Sequence, residues 1–275
     1  MTVSAAPKAD EVEASRAPLM THLMELRSRL VVVLLALAVG FGICFFLAER
    51  IYNFLLGPFE MAAHRVRGVD QDALELQLIF TAPLEFFFVK LKLALFGAII
   101  LAFPVIAYQV WAFVSPGLYK NERLAFTPFL LAAPVLFVAG MAMVYYFILP
   151  FVMGFALGQE QLGGDGRASI QLLTRVSEYL NLVTTLILAF GISFQLPVLL
   201  SLLGKAGIIT SQTLIQFWKF ALVGIAAFAA FVTPPDPISQ IFLGAAMFGL
   251  YAISILAVKL VEPKDEADKG ADSAS

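Results

Sequence analysis

Residues 22–30 read HLMELRSRL and stand directly before a long apolar run. One carboxylate, Glu25, lies there among apolar residues, with Arg27 and Arg29 close by. Two chemistries fit. Glu25 and Arg29 are four residues apart, so on a helix they share a face and can pair. Alternatively, the carboxylate receives a guanidinium from another molecule through charge-assisted, bidentate bonds. A second carboxylate, Glu122, is the one acid of SPGLYKNERLAF, residues 115–126. Its plainest reading is an interfacial charge balancing Lys120 and Arg123. Two carboxylates at one membrane face, beside low-dielectric surroundings, would nevertheless attract a guanidinium strongly.

Other site chemistry is poorly supplied. The chain has two histidines, His22 and His64, and one cysteine, Cys44. That leaves almost no ligand set for zinc and no disulfide framework. HLMEL lacks the second histidine of a zinc-protease helix. No nucleophile–base pair occurs within the apolar runs, and no nucleotide-binding signature is present. The sequence therefore predicts no enzyme, metal or cofactor. A net charge of −2 gives no basis for a nucleic-acid partner.

The elements that must position the two carboxylates follow from composition. The 275 residues are 60% hydrophobic and 14% charged, with mean hydropathy +0.89. Soluble domains are about 45–50% apolar and about 25% charged. A helix needs roughly 20 apolar residues to cross ~30 Å of hydrocarbon. By that test residues 30–48, 84–114, 125–157, 179–203, 217–232 and 238–258 are six spans, the fifth short at about 24 Å. The expected fold is an all-α polytopic membrane protein. Residues 1–19 form a polar leading segment without a cleavable signal pattern, 20–260 the membrane domain, and 261–275 a disordered tail.

Lysine and arginine set the orientation. With the N-terminus inside, the inner segments hold most of them, and the external loops 49–83 and 158–178 hold Arg50, Arg65, Arg67, Arg167 and Arg175. Both termini are thus expected in the cytoplasm. Lys90 and Lys92, near the outer end of the second span, are expected to snorkel toward headgroups. The Gly pairs of the second loop predict flexibility. Pro104, Pro128, Pro134, Pro150 and Pro197 fall inside spans and predict bends. TPPDP, residues 233–237, predicts a tight external hairpin.

Polar groups inside spans are costly and need partners. Gln195 in GISFQLPVLL, residues 191–200, reads as glue between helices or as a group facing water. Gln240 reads the same way. Asp236 reads as a cap on the sixth span.

The stretches HLMELRSRL, FPVIAYQVWAFVSPGLYKNER, AFGISFQLPV and VTPPDPISQ occur in this order on these spans. The chain closely resembles the TatC family, the C subunits of twin-arginine translocases, from about residue 18 to 258. The resemblance implies a bent, cupped six-helix fold in a cytoplasmic inner membrane. It implies a receptor for paired-arginine signal peptides of folded cargo, with export driven by the proton gradient. It also implies an oligomeric complex with partner subunits TatA and TatB. It places signal-peptide binding on Glu25, Arg27, Phe113, Pro116, Leu118, Tyr119 and Glu122. It places the family's external proline on Pro58 and its hairpin aspartate and glutamine on Asp236 and Gln240. Gln195 and the adjoining Pro197 are the expected seat of a partner helix. Many family members carry a glutamate where this chain has Gln195, and a neutral amide cannot exchange a proton.

Three rivals make different expectations. An ion-coupled transporter of a small solute would line a midplane site with charge, whereas here the charges cluster at the two faces. An intramembrane enzyme lacks its residues. A structural scaffold predicts that charge-swapping Glu25 and Glu122 leaves export unharmed.

Overall fold

Helix dominates because apolar runs beside lipid must satisfy every backbone group internally. In this computed structural model the described residues are 8–67, 78–114, 123–160, 172–233 and 237–262, with side chains described for 23–66, 78–113, 128–160, 172–233 and 240–262. Among them run α1 (Lys8–Phe46), α2 (Ala48–Arg67), α3 (Glu85–Val114), α4 (Arg123–Met143), a π-helical turn (Val144–Ile148), α5 (Leu149–Leu157), α6 (Val176–Ser193), α7 (Leu196–Lys205), α8 (Ser211–Gln216), α9 (Trp218–Val232) and α10 (Pro237–Val261). Two short strands, β1 (Leu78–Ile79) and β2 (Thr174–Arg175), pair in parallel.

Five stretches are long and apolar enough to cross a membrane: Leu23–Phe46, Glu85–Phe113, Pro128–Leu157, Val176–Lys205 and Gln240–Val261. The shorter apolar helix, Trp218–Val232, rises only about 22 Å. These are the six spans expected from hydropathy. An even number of crossings puts the start of α1 and the end of α10 at one end of the bundle, here the Glu25 end. The opposite end is the α2 end.

Two of the five prolines expected to bend spans, Pro150 and Pro197, stand at irregularities of different kinds, whereas Pro104, Pro128 and Pro134 lie inside continuous α3 and α4. Before Pro150 the chain widens into the π turn, where the Leu149 N–H donates to the Val144 carbonyl five residues back. The fourth span breaks into α6 and α7 at Phe194 and Gln195. There the Gln195 N–H reaches the Ile192 carbonyl at 2.9 Å, and Pro197 has no N–H to continue the ladder. α7 then ends in a Schellman turn. Gly207 adopts φ 70°, the Gly207 N–H donates to the Gly204 carbonyl, and the Ile208 N–H donates to the Leu203 carbonyl, both at 3.0 Å. A side chain at this left-handed position would be strained.

Residues 49–83 were expected to be a loop, and this expectation is corrected: α2 fills the first half. Its buried residues Leu55, Phe59, Ala62 and Ala63 recur at helical spacing, while Glu49, Asn53, Glu60 and His64 are exposed. Average hydropathy hides such an element, because one face cancels the other. α1 also begins well before the apolar run, at Lys8. The Gly pairs expected to be flexible, Asp236 and the tail beyond Glu262 lie outside the described residues.

The core runs from the buried face of α2 through α5 and α6 to α9 and α10, with Leu55, Leu149, Val183, Phe190, Leu243 and Val258 nearly or fully closed off from solvent. α1 lies at the edge and packs chiefly on α3. Three buried serine and threonine hydroxyls in the spans are satisfied locally. Thr184, Ser193 and Ser254 each donate to the carbonyl four residues back, at 2.6, 2.7 and 2.7 Å.

Candidate functional site

At the Glu25 end, the polar turn of α1 occupies the start of the apolar stretch Leu23–Phe46. Glu25 and Arg29 stand one helical turn apart and form an ion pair. The Arg29 Nε and Nη2 both donate to one oxygen, Glu25 Oε1, at 3.2 and 2.5 Å. Arg29 Nη1 reaches across to α3 and donates to Gln109 Oε1 at 3.3 Å. The Glu25 side chain is 31% exposed and that of Arg29 22%. The i,i+4 pairing weighed from sequence is therefore present, and the carboxylate stays partly wet. Ser28 donates to the Glu25 carbonyl at 2.8 Å. Arg27 is exposed.

Phe113 is half-buried on α3, four residues beyond Gln109 and so on the same helix face. Pro116, Leu118, Tyr119 and Glu122 lie outside the described residues. The structure thus brings Glu25, Arg29 and Gln109 together at the rim. Gln109 was not singled out from sequence, because its partner lies 80 positions away and neither residue announces the other.

Gln195 is half-buried at the α6–α7 break. Its Nε2 donates to the Ala133 carbonyl of α4 at 3.1 Å and to the Gly191 carbonyl at 3.4 Å. The expectation of glue between helices holds. Pro197 is buried beside it, and Gln240 is half-buried near the start of α10.

The α2 end is built differently. Pro58, buried in α2, has no N–H for the Phe54 carbonyl four residues back. The Tyr145 hydroxyl of the π turn supplies that bond at 2.7 Å, with its ring stacked on Phe54 at 4.5 Å. A Cβ on Gly57 would collide with the same hydroxyl. Tyr179, buried on α6, donates to the next carbonyl, Leu55, at 2.7 Å. Glu85 at the start of α3 accepts from Thr81 N at 2.8 Å, Ala82 N at 3.3 Å, Ser177 N at 3.3 Å and Ser177 Oγ at 2.5 Å. It clamps the start of α3 to the start of α6 beside the β1–β2 pair. None of these ties was read from the sequence.

Lys90 and Lys92 find protein partners rather than only headgroups. Lys90 Nζ lies 4.8 Å from the Phe45 ring centre, and Lys92 bonds Asn181. Among the described residues no group of three or more His, Cys, Asp or Glu side chains is placed to hold a metal ion.

At the corner near α8, Glu262 accepts from Ser211 N and Ser211 Oγ, both at 2.7 Å. The Ser211 N–H and hydroxyl, aided by Lys259, hold its carboxyl below the usual range against the opposing effect of burial.

Comparison with known proteins gives one consistent picture. The sequence model of the TatC family, Sec-independent protein translocase protein, matches residues 21–245. The TatC of Magnetococcus marinus is 39% identical over 259 residues, covering 94% of this chain and 90% of that protein. The TatC of Escherichia coli K12 is 35% identical over 238 residues, 86% of each chain. A solved crystal structure of a twin arginine translocase receptor, TatC, aligns with TM-score 0.73 and 35% identity, covering 87% of this chain and 99% of that one.

Proposed function

The chain belongs to the TatC family of Sec-independent protein translocases, and on that premise we propose that it is a receptor for paired-arginine signal peptides, docked at the rim around Glu25. The observation that carries the reading is the state of Glu25. It is a carboxylate at the mouth of a membrane helix, 31% exposed and held by one arginine already, so the site accepts a guanidinium in practice. Arg27 and Phe113 flank it on α1 and α3. Glu122, with Pro116, Leu118 and Tyr119, immediately precedes Arg123, where α4 begins, and we assign it the second guanidinium. An arginine fork fits a carboxylate through two bonds, and lysine supplies only a point charge. The apolar part of the peptide then lies along lipid-facing side chains of the spans and adds burial.

The bias of lysine and arginine supports an orientation with the Glu25 end, and both termini, in the cytoplasm of a bacterial inner membrane. TatA and TatB helices are assigned to the α6–α7 break at Gln195 and Pro197, and to Gln240. Since Gln195 Nε2 is committed to Ala133 and Gly191, the amide oxygen is the group we assign to a docking helix. Gln195 does not titrate, so coupling to the proton gradient runs through some other group of the complex.

The test is a titration of labelled paired-arginine peptide against the protein in nanodiscs, with a paired-lysine peptide as control. The arginine peptide is expected to bind more tightly, and Glu25→Ala and Glu122→Ala each to weaken it. Unchanged affinity in both single variants defeats the proposal.

A further inference from the structure

Glu25 already holds a guanidinium in the resting protein. Two fork nitrogens of Arg29 converge on Glu25 Oε1, and the third nitrogen reaches Gln109 on the neighbouring span. A plain helix-end pair has no need of that cross-helix bond. We infer that Arg29 is a built-in stand-in for the substrate arginine, and that peptide binding is an exchange in which the incoming guanidinium takes Glu25 while Arg29 stays tethered to Gln109. The inference rests on the reading of Glu25 as the docking carboxylate and names how that site is regulated.

The physical reason lies in the empty state. A bare carboxylate at the edge of hydrocarbon is costly, and an ion pair relieves that cost. The pair must also be weak enough to open, and a partly exposed i,i+4 pair is weak. Gln109 supplies the second acceptor, so that opening does not leave Arg29 without a bond.

Exchange has a definite signature. A peptide that binds only the open form sees its affinity reduced by the open fraction. The reduction is the same for every peptide that displaces Arg29. The latch therefore lowers affinity for paired-arginine and paired-lysine peptides equally, and leaves their ratio alone. For a pair of this kind the factor is about two- to sixfold.

The experiment is a set of nanodisc titrations with labelled paired-arginine and paired-lysine peptides. Arg29→Gln is expected to tighten both by about two- to sixfold, with Arg29→Lys intermediate because a point charge holds Glu25 less well. In a Glu25→Gln background the same Arg29→Gln change is expected to have no effect, since no carboxylate remains to be freed. Tightening that persists in that background reports general repulsion between cations and overturns the inference. No change, or weaker binding, in Arg29→Gln and Arg29→Lys overturns it as well, and so does an altered arginine-to-lysine ratio. Should Arg29→Gln not assemble, Arg29→Lys and its Glu25→Gln double variant decide the matter by the same signs. If Glu25→Gln alone binds like the unaltered protein, the docking assignment itself has failed, and that outcome is separate from any behaviour of Arg29.

Discussion

The two ends of this bundle handle polar groups in opposite ways. At the α2 end, two carbonyls of α2 are tied off by tyrosines from distant elements, and one carboxylate by its own preceding turn together with distant Ser177. Tyr145 and Tyr179 bond successive carbonyls of α2, and Glu85 accepts five backbone and side-chain donors from Thr81, Ala82 and Ser177. At the Glu25 end, the carboxylate is held by one arginine side chain on its own helix, with part of its surface in water. The lesson is that satisfaction by backbone and buried hydroxyls fixes a structure, whereas satisfaction by an exposed side chain can be exchanged. A receptor of the kind proposed needs both, one end rigid and one end replaceable.

The contrast can be broken from either side. The largest expected effect is Glu25→Ala, which should cost about 2 kcal/mol or more of paired-arginine peptide binding and leave thermal stability in detergent nearly unchanged. A shift in melting without a shift in binding would reverse the roles of the two ends. Next is Tyr179→Phe, which strands the Leu55 carbonyl in a buried site. It should lower stability by about 1–2 kcal/mol while peptide affinity holds, as read by paired unfolding and anisotropy measurements. Smaller is Gln195→Leu, which removes the tie between α6 and α4. Interhelical bonds in membranes average about 0.6 kcal/mol, so a modest loss of stability is expected, together with weaker photocrosslinking of a partner helix at this position.

The smallest is a pH effect at Glu262. Its carboxyl is held below the ordinary range by Ser211. Its contribution is therefore complete above the ordinary carboxylate pKa and fades as pH falls through the lowered folded value. Protection of the α8 amides, with exchange rates corrected for their intrinsic pH dependence, should fall as pH drops below the ordinary carboxylate range, and Ser211→Ala should remove that dependence. Protection that does not change with acid in the unaltered protein would mean that the bond does not hold the corner.

Legibility varied with the distance over which a cause acts. The spans were readable because apolar length is local, and the Pro150 and Pro197 irregularities because a missing N–H acts within one turn. Which device absorbs each proline was not readable: a π turn in one case, a clean break in the other. The Glu25–Arg29 pair was visible as an i,i+4 spacing, but Gln109 was not. α2 was missed because its buried face is offset by charged residues on the other. The clamp on Glu85 was invisible because Ser177 lies 92 positions on.

By itself the sequence determined the all-helical character, the number of spans, the placement of charge at the two faces and the residue types at the rim. Those follow from hydropathy and helical period, which depend on neighbours along the chain. Only the tertiary structure decided that Tyr145 replaces the bond Pro58 removes, that Gln195 ties α6 to α4, and that Arg29 bridges Glu25 to α3. Those depend on which helices lie side by side, and hydrogen bonds a few ångströms long cannot be specified until the packing sets them.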